Sequence, residues 1–222
     1  MKTLPRIKLD LHVHTDHSSD SRASPESVVK RAIDLGFDAI AVTDHDTVSG
    51  ALEAEKHARN TKLLVIPGQE VCAKEGEVII LGVRETIPNK MPVLDTMKQA
   101  KKMGGFIIVP HPFDTMRKGL GRTAESCLKY IDAVEVFNSR TIFNFFNSKA
   151  LAFADKHSLP MTVGSDSHFL EEMGKSYMLL ESRKNMPAIL DALRSGNAEL
   201  VMKNQSRVSK LRRGLLKIRT YL

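Results

Sequence analysis

A chain of 222 residues, 42% of them apolar, can bury a sizeable core without staples, and its two cysteines are too few for a disulfide framework. No apolar run reaches the length of a membrane span, and the first residues lead into a strand rather than a signal peptide. A cytoplasmic protein with reduced, buried thiols at Cys72 and Cys127 is therefore expected. The net charge of +7 is unevenly spread: after Glu199 there is no acid and there are seven of the 33 bases, so the excess sits in the tail and the body is balanced.

Apolar runs alternate with amphipathic segments along the chain. Residues 7–14 read as a strand with Ile7, Leu9, Leu11 and Val13 on one face. Ser24-Pro25-Glu26 opens a helix that carries Val28, Val29, Ala32 and Ile33 and stops at Gly36. Strands are expected over 37–43, 63–66, 78–83, 106–109, 133–137, 161–163 and 177–180. Helices are expected over about 48–59, 92–103, 123–130, 144–157 and 187–194. Alternation of this kind implies an α/β domain with a mainly parallel sheet, closed or nearly closed into a TIM-barrel-like form. A doubly wound open sheet is the rival, and it is disfavoured because metal-type residues spread along the whole chain have to converge. One barrel over residues 1–204, followed by a basic helix over 205–222, is the expected organisation.

Those metal-type residues follow the strands. His12 and His14 lie two apart, so they point to one side of a strand, and Asp10 shares that side. His45 stands between Asp44 and Asp46 after a second strand; His45 is the expected ligand, Asp44 a group that fixes a histidine tautomer, and Asp46 a helix cap. Glu70 follows an apolar run and, as a carboxylate, can bridge two ions. His111 is held between Pro110 and Pro112, and Asp166 and His168 repeat the two-apart spacing. Asp20, in the polar stretch 18–21, reads equally as a turn residue or a ligand. Glu135 and Asn138 end an apolar strand and are expected to shape the pocket or hydrogen-bond to ligands. His57 and His157, on the polar faces or ends of helices, are set aside, and so is His17, nearer the site but at an odd spacing from His12 and His14. Imidazole and carboxylate together suit zinc, manganese or iron better than calcium or magnesium.

The motifs Asp10-Leu11-His12-Val13-His14-Thr15 with Ser19-Asp20, Thr43-Asp44-His45-Asp46, Gly68-Gln69-Glu70, His111-Pro112 and Ser165-Asp166-Ser167-His168 resemble the PHP family, named for polymerase and histidinol phosphatase. They cover about the first 170 residues in the family's order. The resemblance implies a distorted (β/α)7 barrel, two or three divalent metal ions and phosphoester hydrolysis by a metal-activated water. It implies one metal on His12, His14, Glu70 and Asp166, a second on Glu70 and His111, and a third on Asp20, His45 and His168. Many members carry a further histidine after the bridging glutamate. The stretch 76–82 has none, which would leave the second metal short of a protein ligand.

A phosphorylated small molecule or a nucleotide is the expected substrate. Arg140, with Arg117 and Lys118 behind it, is the expected phosphate grip, because guanidinium binds phosphate through two hydrogen bonds. Val208, Leu211, Leu215, Ile218 and Leu222 recur at helical spacing with a basic back, which reads as a closing helix, as a contact to nucleic acid phosphates or as a membrane-surface helix. Hydrolysis of C–N or C–O bonds, and a non-catalytic nucleic-acid-binding subunit, are the alternatives.

Overall fold

The first strand, β1 (Arg6–Val13), is buried on both sides. Leu9, Leu11 and Val13 are fully enclosed in the apolar core, and Asp10 and His12, on the opposite face, are as deeply buried. Each enclosed aliphatic side chain contributes roughly 1.5–3 kcal/mol, whereas a buried polar face stabilises nothing unless its groups find partners. The second face of β1 therefore marks a site. The computed structural model describes residues 4–204.

Helix α1 (Pro25–Asp34) begins where Ser24 Oγ accepts from the Ser27 amide and Pro25 supplies a preset φ. It ends before Gly36, whose φ of 68° takes the chain back to β2 (Ala39–Val42). Helix α2 (Ser49–Ala58) packs a face of Gly50, Ala51, Ala54 and Ala58, small enough to lie close on the sheet. There follow β3 (Leu64–Cys72), β4 (Glu77–Leu81), α3 (Val93–Lys102), β5 (Phe106–Val109), α4 (Thr123–Ser126), β6 (Ala133–Asn138), α5 (Asn144–Lys156), β7 (Met161–Gly164), β8 (Tyr177–Glu181), α6 (Met186–Arg194) and β9 (Glu199–Val201).

The nine strands of the described residues join one sheet in the order β7-β6-β5-β4-β3-β2-β1-β8-β9. The expected barrel form is found: Val13 and Ser167 form a parallel bridge, and the His14 amide donates to Ser167 O at 2.9 Å. The segment after β7 thereby meets the end of β1 and nearly closes the sheet.

The expectation of a mainly parallel sheet needs correction. β1–β2, β2–β3, β5–β6 and β6–β7 are parallel, but β3–β4, β4–β5, β1–β8 and β8–β9 are antiparallel. For β4 the cause is the length of β3. It continues past residue 66 to Cys72, so only residues 73–76 remain before β4, closed by a bond from the Ala73 amide to Gly76 O. Four residues make a hairpin and cannot make a crossover. Glu70 thus lies within a strand rather than after one. The helix expected over 123–130 breaks at Cys127 into α4 and a 3-10 turn, Leu128–Tyr130. Strand β9 carries no periodic signal in three residues. Cys127 is buried, but Cys72 is only half-buried. The helix expected over 205–222 lies outside the described residues, among which no helix is long and apolar enough to cross a membrane.

Candidate metal centre

His12 and His14 leave the end of β1 with their Nε2 atoms 3.1 Å apart. Their other nitrogens are held from behind. His12 Nδ1 lies 2.9 Å from Glu135 Oε1. His14 Nδ1 lies 3.1 Å from Ser18 Oγ, and that hydroxyl donates to Asp44 Oδ1 at 2.8 Å. A hydroxyl whose proton points to Asp44 can only accept from His14. Each neutral ring therefore carries its proton on Nδ1 and turns the Nε2 lone pair to the same point.

Two carboxylates face that point. Glu70 Oε2 is 3.5 Å from His12 Nε2 and 3.4 Å from His14 Nε2, and Asp166 Oδ1 is 3.7 and 3.6 Å from the same atoms. All four side chains are buried. Lone pairs and negative charge gathered away from water repel one another unless a cation lies between them. The donor set, imidazole nitrogen with carboxylate oxygen, fits a divalent ion of the zinc, manganese or iron type.

Two further groups share Glu70. Its Oε1 is 3.2 Å from His111 Nε2, and Glu77 Oε2 is 3.7 Å from the same nitrogen. On the other side His14, His45 and His168 bring ring nitrogens within 4.8 Å of one another. His45 Nδ1 is 3.2 Å from Glu70 Oε2, and Asp20 reaches His168 Nε2 at 3.0 Å and His45 Nε2 at 3.7 Å. All eight residues expected as ligands therefore meet in one place. His111 (φ 29°), Asp166 (φ 50°) and Asp46 (φ 58°) take left-handed backbone conformations that side chains with a Cβ seldom adopt, as strained functional positions do.

The supporting residues act through specific bonds. Asp44 accepts from the Thr15 amide at 2.6 Å and the Thr15 hydroxyl at 2.7 Å as well as from Ser18. A Cβ on Gly50 would run into Asp44 Oδ2 and Thr15 Oγ1, so α2 can pack there only with glycine at that position. Glu135 spends its second oxygen on the His111 amide (2.9 Å) and on Asn138 Nδ2 (2.9 Å), and Asn138 Nδ2 also lies 3.0 Å from Asp166 Oδ2. Asp10 Oδ1 accepts from the amides of His12 and Ser165, both at 3.2 Å; it ties β1 to the segment after β7. Asp46 does not cap α2, whose N-cap is Val48; it accepts from the Cys72 amide and from Asn89 Nδ2, both at 2.8 Å.

Arg117 and Arg140 turn inward. Arg117 Nη1 pairs with Asp166 Oδ2, while Arg140 Nη1 lies 3.2 Å from Asp166 Oδ1 and 2.6 Å from His168 Nδ1. Lys118, more exposed, sets Nζ 3.0 Å from Cys72 Sγ and 4.0 Å from Glu77 Oε1. All three line a cavity of about 420 Å³ together with Glu70, His111 and His168. His17 and His57 pair with Glu53, and His157 with Glu125, outside the centre.

Burial and the neighbouring rings of His168 and His45 hold His14 well below the ordinary imidazole range; burial and then Arg140 do the same to His168. Both stay neutral, as ligands must. At His12 burial again opposes charge, but Glu135 and Glu70 outweigh it and push the pKa up to about 10. A metal ion entering there has to displace a proton. Glu70 is held well below the carboxylate range because His12 and His111 outweigh its burial. Burial, then the charge of Glu70, raise Glu77.

Sequence reasoning missed Glu77, Ser18 and Thr15. The stretch 76–82 lacks the histidine that the family pattern leads one to look for. A carboxylate comes instead from the first residue of β4. That strand runs against β3, so its start lies at the rim where the parallel strands end, with Glu77 directly opposite Cys72. Ser18 and Thr15 could have been found as hydroxyls beside the first histidine pair.

The model of the PHP domain matches residues 10–177. An uncharacterised protein of Methanocaldococcus jannaschii is 34% identical over 178 residues, which cover 78% of this chain and 70% of the relative. A 5'-3' exoribonuclease of Haemophilus influenzae is 33% identical over 99 residues, covering 43% of this chain and 36% of that protein. Among solved structures, PsfC from Pseudomonas syringae superposes with a TM-score of 0.71 at 18% identity, covering 96% of this chain and all of that one, a likeness of fold. With the family model spanning most of its length, the chain belongs to the PHP domain family, and with it to the metal-dependent enzymes that act on phosphoric ester bonds.

Proposed function

We propose that the protein hydrolyses a phosphomonoester or a nucleotide or oligonucleotide phosphate, using two or three divalent ions of the zinc, manganese or iron type. The observation that carries this reading is Glu70: one buried carboxylate in contact with three groups of histidines and acids at the floor of a single cavity. In this assignment His12, His14, Glu70 and Asp166 hold one ion. Glu70, Glu77 and His111 hold a second, and Asp20, His45 and His168 a third. Such ions, when bound, polarise a phosphoryl group and lower the pKa of water.

The chain's own residues do the rest. Glu135, and Ser18 backed by Asp44, fix the tautomers of His12 and His14, so that the ligand nitrogens need no rearrangement. Arg140 and Arg117 stand at Asp166, on the cavity wall, where a phosphate entering the site meets two guanidinium groups in place of bulk water. Lys118 adds a third positive charge at the mouth. The similarity to an exoribonuclease supports nucleic acid as the source of that phosphate.

The test is a panel of phosphomonoesters, phosphodiesters and amides, run on protein stripped of metal and reloaded with zinc, manganese or iron. Metal-dependent release of phosphate or nucleotide, absent in His168→Ala, is the expected result. Cleavage of amides alone, or full phosphoesterase activity in His168→Ala, would overturn the reading.

A further inference from the structure

Of the eight large apolar side chains that stand exposed among the described residues, Met116 and Ile142 line this cavity, and Phe143 and Phe145 follow Ile142 in the chain. Met116 and Ile142 lie in the loops that carry Arg117 and Arg140. Phe143 is the next residue, and Phe145 lies in the first turn of α5. Each is half exposed or more, whereas Phe146 is buried beneath them. The Phe145 ring lies 4.1 Å from that of Phe146, and the Phe143 ring meets it edge-on at 6.3 Å. The exposed rings are thus held by a packed one.

We propose that Ile142, Phe143 and Phe145 form a stacking rim for the bases of a single-stranded nucleic acid whose terminal phosphate enters the cavity, with Met116 opposing them at the entrance. The proposal rests on the phosphoesterase reading for the phosphate and adds the part of the substrate that remains outside. Apolar surface grouped at a site signals a partner rather than chance exposure. Positive charge stands beside these rings: Lys149 Nζ is 4.9 Å from the Phe145 ring centre, and Arg117, Lys118 and Arg140 line the adjoining cavity. Aromatic faces alternating with positive charge are what single strands need, because every base has a face to stack and every linkage a phosphate to neutralise. Paired bases stack on each other and offer no such face, so a duplex gains little here. A cavity of about 420 Å³ holds a nucleotide-sized group, and further nucleotides would have to leave over the rim.

Binding of phosphorothioate oligonucleotides, read by fluorescence anisotropy on the full chain, tests this without cleavage. The probes are a 5′-phosphorylated single strand, an abasic strand of the same length and charge, and the matching duplex. The base-bearing strand is expected to bind roughly ten-fold or more tightly than the abasic one, and more tightly than the duplex. The double variant Phe143→Ser/Phe145→Ser, and separately Ile142→Ser, should bring the ratio of the two single strands toward one, with the circular dichroism spectrum unchanged. Equal binding of the two strands by the wild-type protein, or a ratio that survives both variants, overturns the proposal. So does self-association or vesicle binding that the double variant abolishes while the ratio persists. Phosphoester hydrolysis without the ratio sinks the rim alone; the ratio without any hydrolysis sinks the phosphoesterase reading alone.

Discussion

Glu135 and His12 come from strands that are not neighbours in the sheet, 123 residues apart in the chain, yet Oε1 of one lies 2.9 Å from Nδ1 of the other. Both are buried. The carboxylate orients the ring and raises its affinity for a cation on the far nitrogen.

Glu135→Gln keeps the shape and removes the charge. Metal affinity, measured by calorimetric titration, should fall about 10- to 100-fold, with the fold retained. An unchanged isotherm would show that the carboxylate has no part in tuning His12.

Glu77→Gln should lower the metal content of the reloaded protein by about one ion per chain, because Glu77 is one of the three donors gathered in the proposed second group. Elemental analysis of the wild-type and variant proteins side by side is the measurement. Equal content would restore the view that the second group lacks this ligand.

Gly164 ends β7 with its Cα against the centre. A Cβ there would stand 2.6 Å from His12 Cβ and would also collide with Glu135 Oε1. Gly164→Ala should therefore destabilise the protein by about 1–3 kcal/mol and weaken metal binding as well, since the clash falls on the His12–Glu135 pair. Denaturant unfolding and titration together would report it, and a neutral substitution would contradict the packing described.

Stability of the chelated protein should peak near pH 6.5. His14 and His168 have folded pKa values well below 6.5, so under that pH the unfolded chain binds more protons and stability falls with acid. His12 is raised from 6.5 to about 10, so between those values the folded protein binds more protons and stability falls as the pH rises. Asp10, raised from 3.8 to about 6 by burial, offsets part of the acid-side loss in that window. Each group contributes up to ~1.4 kcal/mol per pH unit. A melting temperature that climbs steadily from pH 6 to 9 would be incompatible with these shifts.

The local chemistry was legible in the chain. Two-residue spacing places His12 with His14 without reference to any other residue, because strand geometry puts them on one side; Asp166 and His168 share the spacing but lie beyond the end of β7, where the left-handed turn at Asp166 brings them to the same centre. Alternation of apolar and amphipathic segments likewise announced an α/β domain, and the family motifs named the barrel. What local pattern misses is direction. Glu77 reads as an ordinary acid next to a glycine, and only the reversal of β4 brings the start of that strand to the metal rim. Arg117 and Arg140 read as bases in loops, and only the nearly closed sheet turns both guanidinium groups onto Asp166.

The amino-acid sequence by itself determined which chemistry the protein could hold, since ligand type and short-range spacing are properties of the local backbone. The tertiary structure alone decided which acids stand behind the candidate ligands: Glu135 behind His12, and Asp44, through Ser18, behind His14. Those pairings join segments far apart in the chain. They exist because burial leaves each polar group no water to turn to, so it must find its partner across the barrel.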